Sequence, residues 1–140
     1  MAQKRLRLDR RHLSKNDDTG GVQIYFTFIQ ICAILSKRGG TMKIILDDRR
    51  PMPENGPYNC VRTYEDCAFL IRNFRNISFI SLDYDLGGKE TGYNVLEYMV
   101  QCGSIVKHIN IHSDHIVGIP KMRKFVEEHF PDTELTFNPL

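Results

Sequence analysis

The amino-acid order predicts an α/β domain, a parallel sheet of about five strands with helices on both faces. Three features carry that expectation. Short apolar runs recur from Met42 onward, at residues 43–46, 77–82 and 106–111, each of a length that suits a buried parallel strand. Segments with apolar residues at helical spacing stand between them. The polar and acidic residues gather where the runs end, and ligands of open parallel sheets sit beyond those carboxyl ends.

In chain order, residues 43–46 form a first strand that ends in two carboxylates, Asp47 and Asp48. Residues 49–58, RRPMPENGPY, hold three prolines and a glycine, so a Pro-rich loop replaces the first helix. Residues 59–62 offer a short second strand. Thr63 then supplies a helix cap, with Asp66 three residues on, and Ala68, Leu70, Ile71 and Phe74 give that helix its apolar positions. Residues 77–82 form the next strand and end in Asp83-Tyr84-Asp85. Gly87 and Gly88 open a loop, and Thr91 caps a helix over 92–102 that buries Val95, Leu96 and Met99. Residues 106–111 give a third apolar strand, followed by His112-Ser113-Asp114-His115. A helix over 119–130 tolerates Pro120 in its first turn, and residues 135–137 form a brief last strand.

The chain has 140 residues, 41% apolar and 26% charged, which is enough for one modest core. Its formal charge of +2 divides unevenly. Residues 1–41 hold eight Lys/Arg against three Asp/Glu, whereas residues 42–140 hold 11 against 14 and are mildly acidic. A broad basic face of the kind that tracks nucleic acid is therefore absent from the folded part. The leader opens on MAQKRLRLDRRHLSK and continues into an apolar run over 22–35, 14 residues long, shorter than the roughly 20 needed to span a bilayer. A signal peptide and an amphipathic anchor are alternatives for it. The purine-rich codons that can encode Lys37-Arg38-Gly39-Gly40, just ahead of Met42, favour another reading: residues 1–41 are a start-site misassignment and the domain is 42–140. The four cysteines, Cys32, Cys60, Cys67 and Cys102, show no zinc-ligand spacing; Cys67 and Cys102 fall on apolar helix faces. No membrane association is expected, and a reducing, cytoplasmic setting fits.

Carboxylates leaving neighbouring parallel strands, about 4.8 Å apart, can converge. Asp47, Asp48 and Asp83 would then repel one another unless a cation offsets them, and Mg²⁺ or another divalent cation suits such a set. The alternative is that an aspartate caps a helix or pairs with Arg49 or Arg50. His112 opens into the same crevice, where an imidazole can transfer protons, ligate a metal or merely bond local backbone. Ser113 can donate to a phosphoryl oxygen or, activated by His112, act as a nucleophile. Arg49 and Arg50 can clamp a phosphate. His115 is either a substrate contact or a solvated loop residue; His108 lies at the opposite edge of the sheet, and His129 pairs with a helix end.

These residues resemble a known pattern. A strand ending in Asp-Asp, another ending in Asp with a glycine nine residues later (Gly92), and a third ending in a hydroxyl residue (Ser113) are similar to the receiver domains of two-component signalling, a flavodoxin-like fold. By that resemblance Asp47 and Asp48 bind Mg²⁺ with the backbone of Asp85, Asp83 accepts a phosphoryl group, and Ser113 is the switch hydroxyl. Four stretches, LDDRRPMP, TYEDCAFL, ISLDYDLG…TGYNVLEYM and IHSDHIVGIPKM, resemble more closely a divergent branch, the cyclic-phosphate-processing receiver-like domains. Ordinary receivers carry a lysine before proline after the last strand. Here Asn138-Pro139 stands in its place, and His112 is added beside the hydroxyl residue. The resemblance implies a metal-dependent domain that processes or binds phosphate esters, cyclic or terminal, such as those of RNA ends, with catalytic Asp83, His112 and Ser113. Two alternatives stay open: a phospho-accepting signalling receiver acting on a partner protein, and a phosphate-binding module without turnover.

Overall fold

The computed structural model describes residues 42–140, so the leader and its Cys32 lie outside the described residues. From Met42 the elements run β1 (Met42–Leu46), β2 (Asn59–Val61), α1 (Tyr64–Asn73), β3 (Asn76–Leu82), α2 (Gly92–Gln101), β4 (Ile105–Val106), β5 (His108–Ile111), α3 (Gly118–His129) and β6 (Glu134–Thr136). Every strand pairing is parallel, in the order β2-β1-β3-β5-β6, with β4 also on β3. This is the receiver-like, flavodoxin-like arrangement. The chain runs outward from β1 to β2, returns to β3 and continues to β5 and β6. The strand order therefore reverses between β1 and β3, which opens a crevice at their carboxyl ends.

The helices form where local chemistry directs them. Thr63 has extended backbone and its hydroxyl accepts the Asp66 amide at 3.2 Å, satisfying one orphan donor of the first turn of α1. At the start of α2 the side chain of Asn94 reaches back to the Thr91 amide at 2.8 Å. Pro120 sits in the first turn of α3, where no backbone hydrogen bond is lost. Between β1 and β2 the proline-rich segment carries no helix.

The third apolar run is divided. β4 and β5 are separated at Lys107, yet Ile77 pairs with Val106 and Ile80 with Ile109, so the register is the same on both sides. Lys107 goes on bonding through its amide to Ile77 and through its carbonyl to Glu134. The interruption is a local distortion of one strand.

Helices on opposite faces of a sheet cannot touch, being separated by about 10 Å on each side. Here α1 packs on α2 and α2 on α3, so the three described helices share one face. Beneath them Ile44, Leu46, Ile80, Leu82, Ile109 and Ile111 are buried in adjacent strands, as are Leu70, Ile71, Val95, Leu96, Met99, Met122 and Val126 in the helices. Cys67 is buried in the same core, and its thiol is pushed far up by desolvation. Among the described residues the helices expected on the second face are not found. That face carries Lys43, Ile45, Phe79, Ser81, His108 and Asn110, and its polar half is the foundation of the site.

Candidate functional site

Three residues follow directly on three neighbouring strands. The amide of Asp47 bonds to Val61, that of Asp83 to Leu46, and that of His112 to Leu82, extending each ladder by one residue. Since Ile45, Ser81 and Asn110 are in register, Asp47, Asp83 and His112 are too, and alternation turns all three side chains to the second face. All three are buried, and one ligand atom from each lies within 4.8 Å of the others. The expected convergence of Asp47 and Asp83 is a direct result of parallel register, whereas Asp48 is not in the group and His112 is.

A hydrogen-bonded column lies behind His112. Its Nδ1 is 2.6 Å from Ser81 Oγ, and its Nε2 is 3.1 Å from Asp47 Oδ2. The amide proton of Asn138 fixes the orientation of Asn110, because only Oδ1 can accept it, at 2.9 Å. Asn110 Nδ2 therefore donates to Ser81 Oγ, also at 2.9 Å. The Asp47 carboxylate can only accept, so the ring proton of the neutral imidazole resides on Nε2, facing Asp47, and the Ser81 hydroxyl donates to Nδ1. The other tautomer, for which the Ser81 hydroxyl accepts instead, keeps that partner but sets the Nε2 lone pair against the Asp47 carboxylate. Burial pushes the imidazole below its ordinary pKa against the pull of Asp47 and Asp83, so the ring is neutral at pH 7. Burial alone would raise the Asp47 carboxyl; the amides of Arg50 and Arg49, the Arg50 guanidinium and His112 reverse this and hold it below the usual range.

Arg50 lies across the carboxylates. Its Nη1 is 3.2 Å from Asp47 Oδ2, 3.1 Å from Asp83 Oδ2 and 3.1 Å from the His112 carbonyl, and its Nη2 is 2.7 Å from Asp114 Oδ1. The expected phosphate clamp is thus turned inward. Arg49 is exposed and lies 3.5 Å from Asp48 Oδ2. The other oxygen of Asp48, Oδ1, is buried without a hydrogen-bond partner. Asp85 is exposed and its carboxylate accepts the Gly87 amide at 3.0 Å, apart from the other acids. Gly87 has φ +70, and a Cβ there would come 2.9 Å from Asp48 Oδ2, so glycine is needed on both counts. His115 accepts the Gly118 amide through Nδ1 at 2.9 Å and stacks on Tyr84, which makes it a cap for α3. The Ser113 hydroxyl accepts the His115 amide at 3.2 Å.

Beside the acids lies an open recess of about 360 Å³, lined among others by Arg50, His112, Ser113, Arg123, Phe137 and Asn138. Arg123 stacks over the Phe137 ring at 4.5 Å, and among the described residues it has no carboxylate partner within ion-pair distance. Ser81, Asn110, Asp114 and Arg123 were not singled out from the sequence. Ser81 and Asn110 lie inside runs that read as apolar, but each stands two positions before a site residue, on the same strand face.

The profile of the cyclic-phosphate processing receiver domains matches residues 42–128. The chain belongs to this family. No curated protein and no solved structure matches the chain significantly. In this cyclic-phosphate processing receiver domain the matched span contains Asp47, Asp83, His112 and the recess residues up to Arg123. No helix among the described residues is long and apolar enough to cross a membrane.

The donor set suits a divalent cation. Two carboxylates and one imidazole present their atoms together, the buried Asp48 Oδ1 is orphaned, and a cationic guanidinium already rests on the carboxylates. This group of acidic residues and histidine can hold a metal ion.

Proposed function

We propose that the domain binds and processes terminal or cyclic phosphate esters, such as those at RNA ends, in a metal-dependent reaction at the carboxyl ends of β1, β3 and β5. The observation that carries this reading is the buried His112, set between Ser81 and Asp47 at the edge of a recess lined by Arg123 and Ser113. A divalent cation such as Mg²⁺, held by Asp47 and Asp83 with Asp48 beside them, would polarise a phosphoryl oxygen and acidify a bound water.

The chain's own residues supply the rest. Ser113 uses its acceptor site on the His115 amide, which leaves its proton to donate to a phosphoryl oxygen. Arg123 offers the positive charge that the lysine of ordinary receivers provides, whereas Asn138 has its backbone tied to Asn110. His112 moves the proton, and a ring neutral at pH 7 can accept one. Asp83 is buried and bonded to Arg50, which favours ligand duty over attack on a phospho-donor. With 11 Lys/Arg against 14 Asp/Glu over residues 42–140, an RNA would be held by its end rather than along its backbone.

Turnover of a 2′,3′-cyclic nucleotide with Mg²⁺ or Mn²⁺ tests the proposal, and His112→Ala should lower it by about 10²–10⁴-fold. A broad panel of phosphoesters without metal-dependent turnover would contradict it. A labile phosphate on Asp83 after incubation with a small phospho-donor, detected by mass spectrometry, would instead support a signalling receiver with a partner protein. Ligand binding with neither result would leave a binding module.

A further inference from the structure

Arg50 occupies the place that the proposed function assigns to a metal ion. Its Nη1 donates to one oxygen each of Asp47 and Asp83, the two carboxylates that would ligate the ion, and to the His112 carbonyl between them. A dication bound to the same oxygens and a guanidinium on them would be like charges within a few ångströms, which a site of this burial does not tolerate. The guanidinium must leave when the ion enters.

The backbone of Arg50 need not move for that. Its amide is fixed by Asp47 Oδ1 at 2.7 Å and its carbonyl by Arg62 Nη1 at 2.7 Å, whereas its side chain is 35% exposed. The outer end of the guanidinium is held by one group, Asp114, whose carboxylate is 89% exposed and whose contact at 2.7 Å is the shortest that Arg50's side chain makes. Asp114 lies on the loop between β5 and α3, beside the recess.

We infer that Asp114 is a positioning residue: it latches Arg50 across the cation seat and thereby sets how tightly the site takes a divalent cation. The inference rests on the metal site of the proposed function and adds to it a competition within the chain itself. It reverses the usual sign for an acidic residue near a metal. Removing a nearby negative charge weakens cation binding by simple electrostatics. Removing the latch frees Arg50 to swing toward solvent or toward a bound phosphate, and strengthens it.

The test is a calorimetric titration of the full chain with Mg²⁺ and with Mn²⁺, comparing wild type, Asp114→Asn, Asp114→Glu and Arg50→Gln. Asp114→Asn, a change at an exposed position that leaves the core intact, should bind both ions about 2- to 5-fold more tightly. Asp114→Glu, which keeps a carboxylate, should return toward wild type. Arg50→Gln should bind at least as tightly as Asp114→Asn; should it fail to fold, the Asp114 pair alone decides. Equal or weaker binding by Asp114→Asn overturns the latch while leaving the metal site standing. No binding by any of the proteins overturns the metal site, and the latch with it.

Discussion

His112 is held neutral by burial, and this makes the stability of the metal-free protein depend on pH. Its folded pKa lies below its unfolded value of 6.5, so on acidification the unfolded chain takes up a proton that the native ring resists. The stability contributed by the neutral ring is full above that value and is lost as pH falls toward the folded pKa. Asp47 and Asp114, both depressed below 3.8, add a second loss at more acid pH. The urea midpoint in chelator should therefore fall between about pH 7 and about pH 5, and His112→Gln should flatten that slope. A midpoint that rises over this interval would mean that the native ring is charged. Ser81→Ala leaves the buried Nδ1 without its partner and should lower stability by about 1–3 kcal/mol in urea unfolding. The acids and His112 were legible in the sequence because each directly ends an apolar run. Their support was not: Ser81 and Asn110 are polar positions inside such runs, and the pairing of Arg50 with Asp114, 64 positions away, leaves no local trace.

Elements place these residues through their ends. Gly92, the first residue of α2, donates its amide to Tyr84 O at 2.9 Å, and any Cβ there would collide with the Asp83 carbonyl. The glycine nine residues after Asp83 thus lets α2 close against the end of β3. Gly92→Ala should destabilise by about 1–3 kcal/mol as an overpacked contact and should also displace Asp83, weakening cation binding. Thr63→Ala, which removes the cap of α1 away from the site, should lower stability by about 1 kcal/mol and leave cation binding unchanged. Urea unfolding and metal titration of the same two variants separate packing from placement; equal effects on the ion would undo the distinction. The caps and the loop after β1 were readable from Thr63, Thr91 and the prolines, since local chemistry decides them. The break at Lys107 was not, because an uninterrupted apolar run cannot announce a distortion that leaves its register intact.

For the molecule as a whole, the two faces of the sheet divide the labour. Under the helices the sheet is apolar, and Leu96→Ala there should lower stability by about 2–5 kcal/mol in urea unfolding. On the other face Ser81, Asn110 and Thr136 form a polar column that leads to the strand ends. Alternation of strands and helices in the sequence predicted the parallel sheet, but it cannot say which face each helix covers; contacts between α1, α2 and α3 decide that. The account depends on Asp47 and Asp83 sharing one cation beside His112. Substoichiometric Mn²⁺ added to isotopically labelled protein tests this most directly, because paramagnetic broadening falls steeply with distance. The His112 ring and the amides of Asp83 and Gly92 should disappear first, while the rings of His108, at the far end of β5, and His129 stay sharp. Broadening that is centred elsewhere, or that spreads evenly over the acidic surface, would contradict the account.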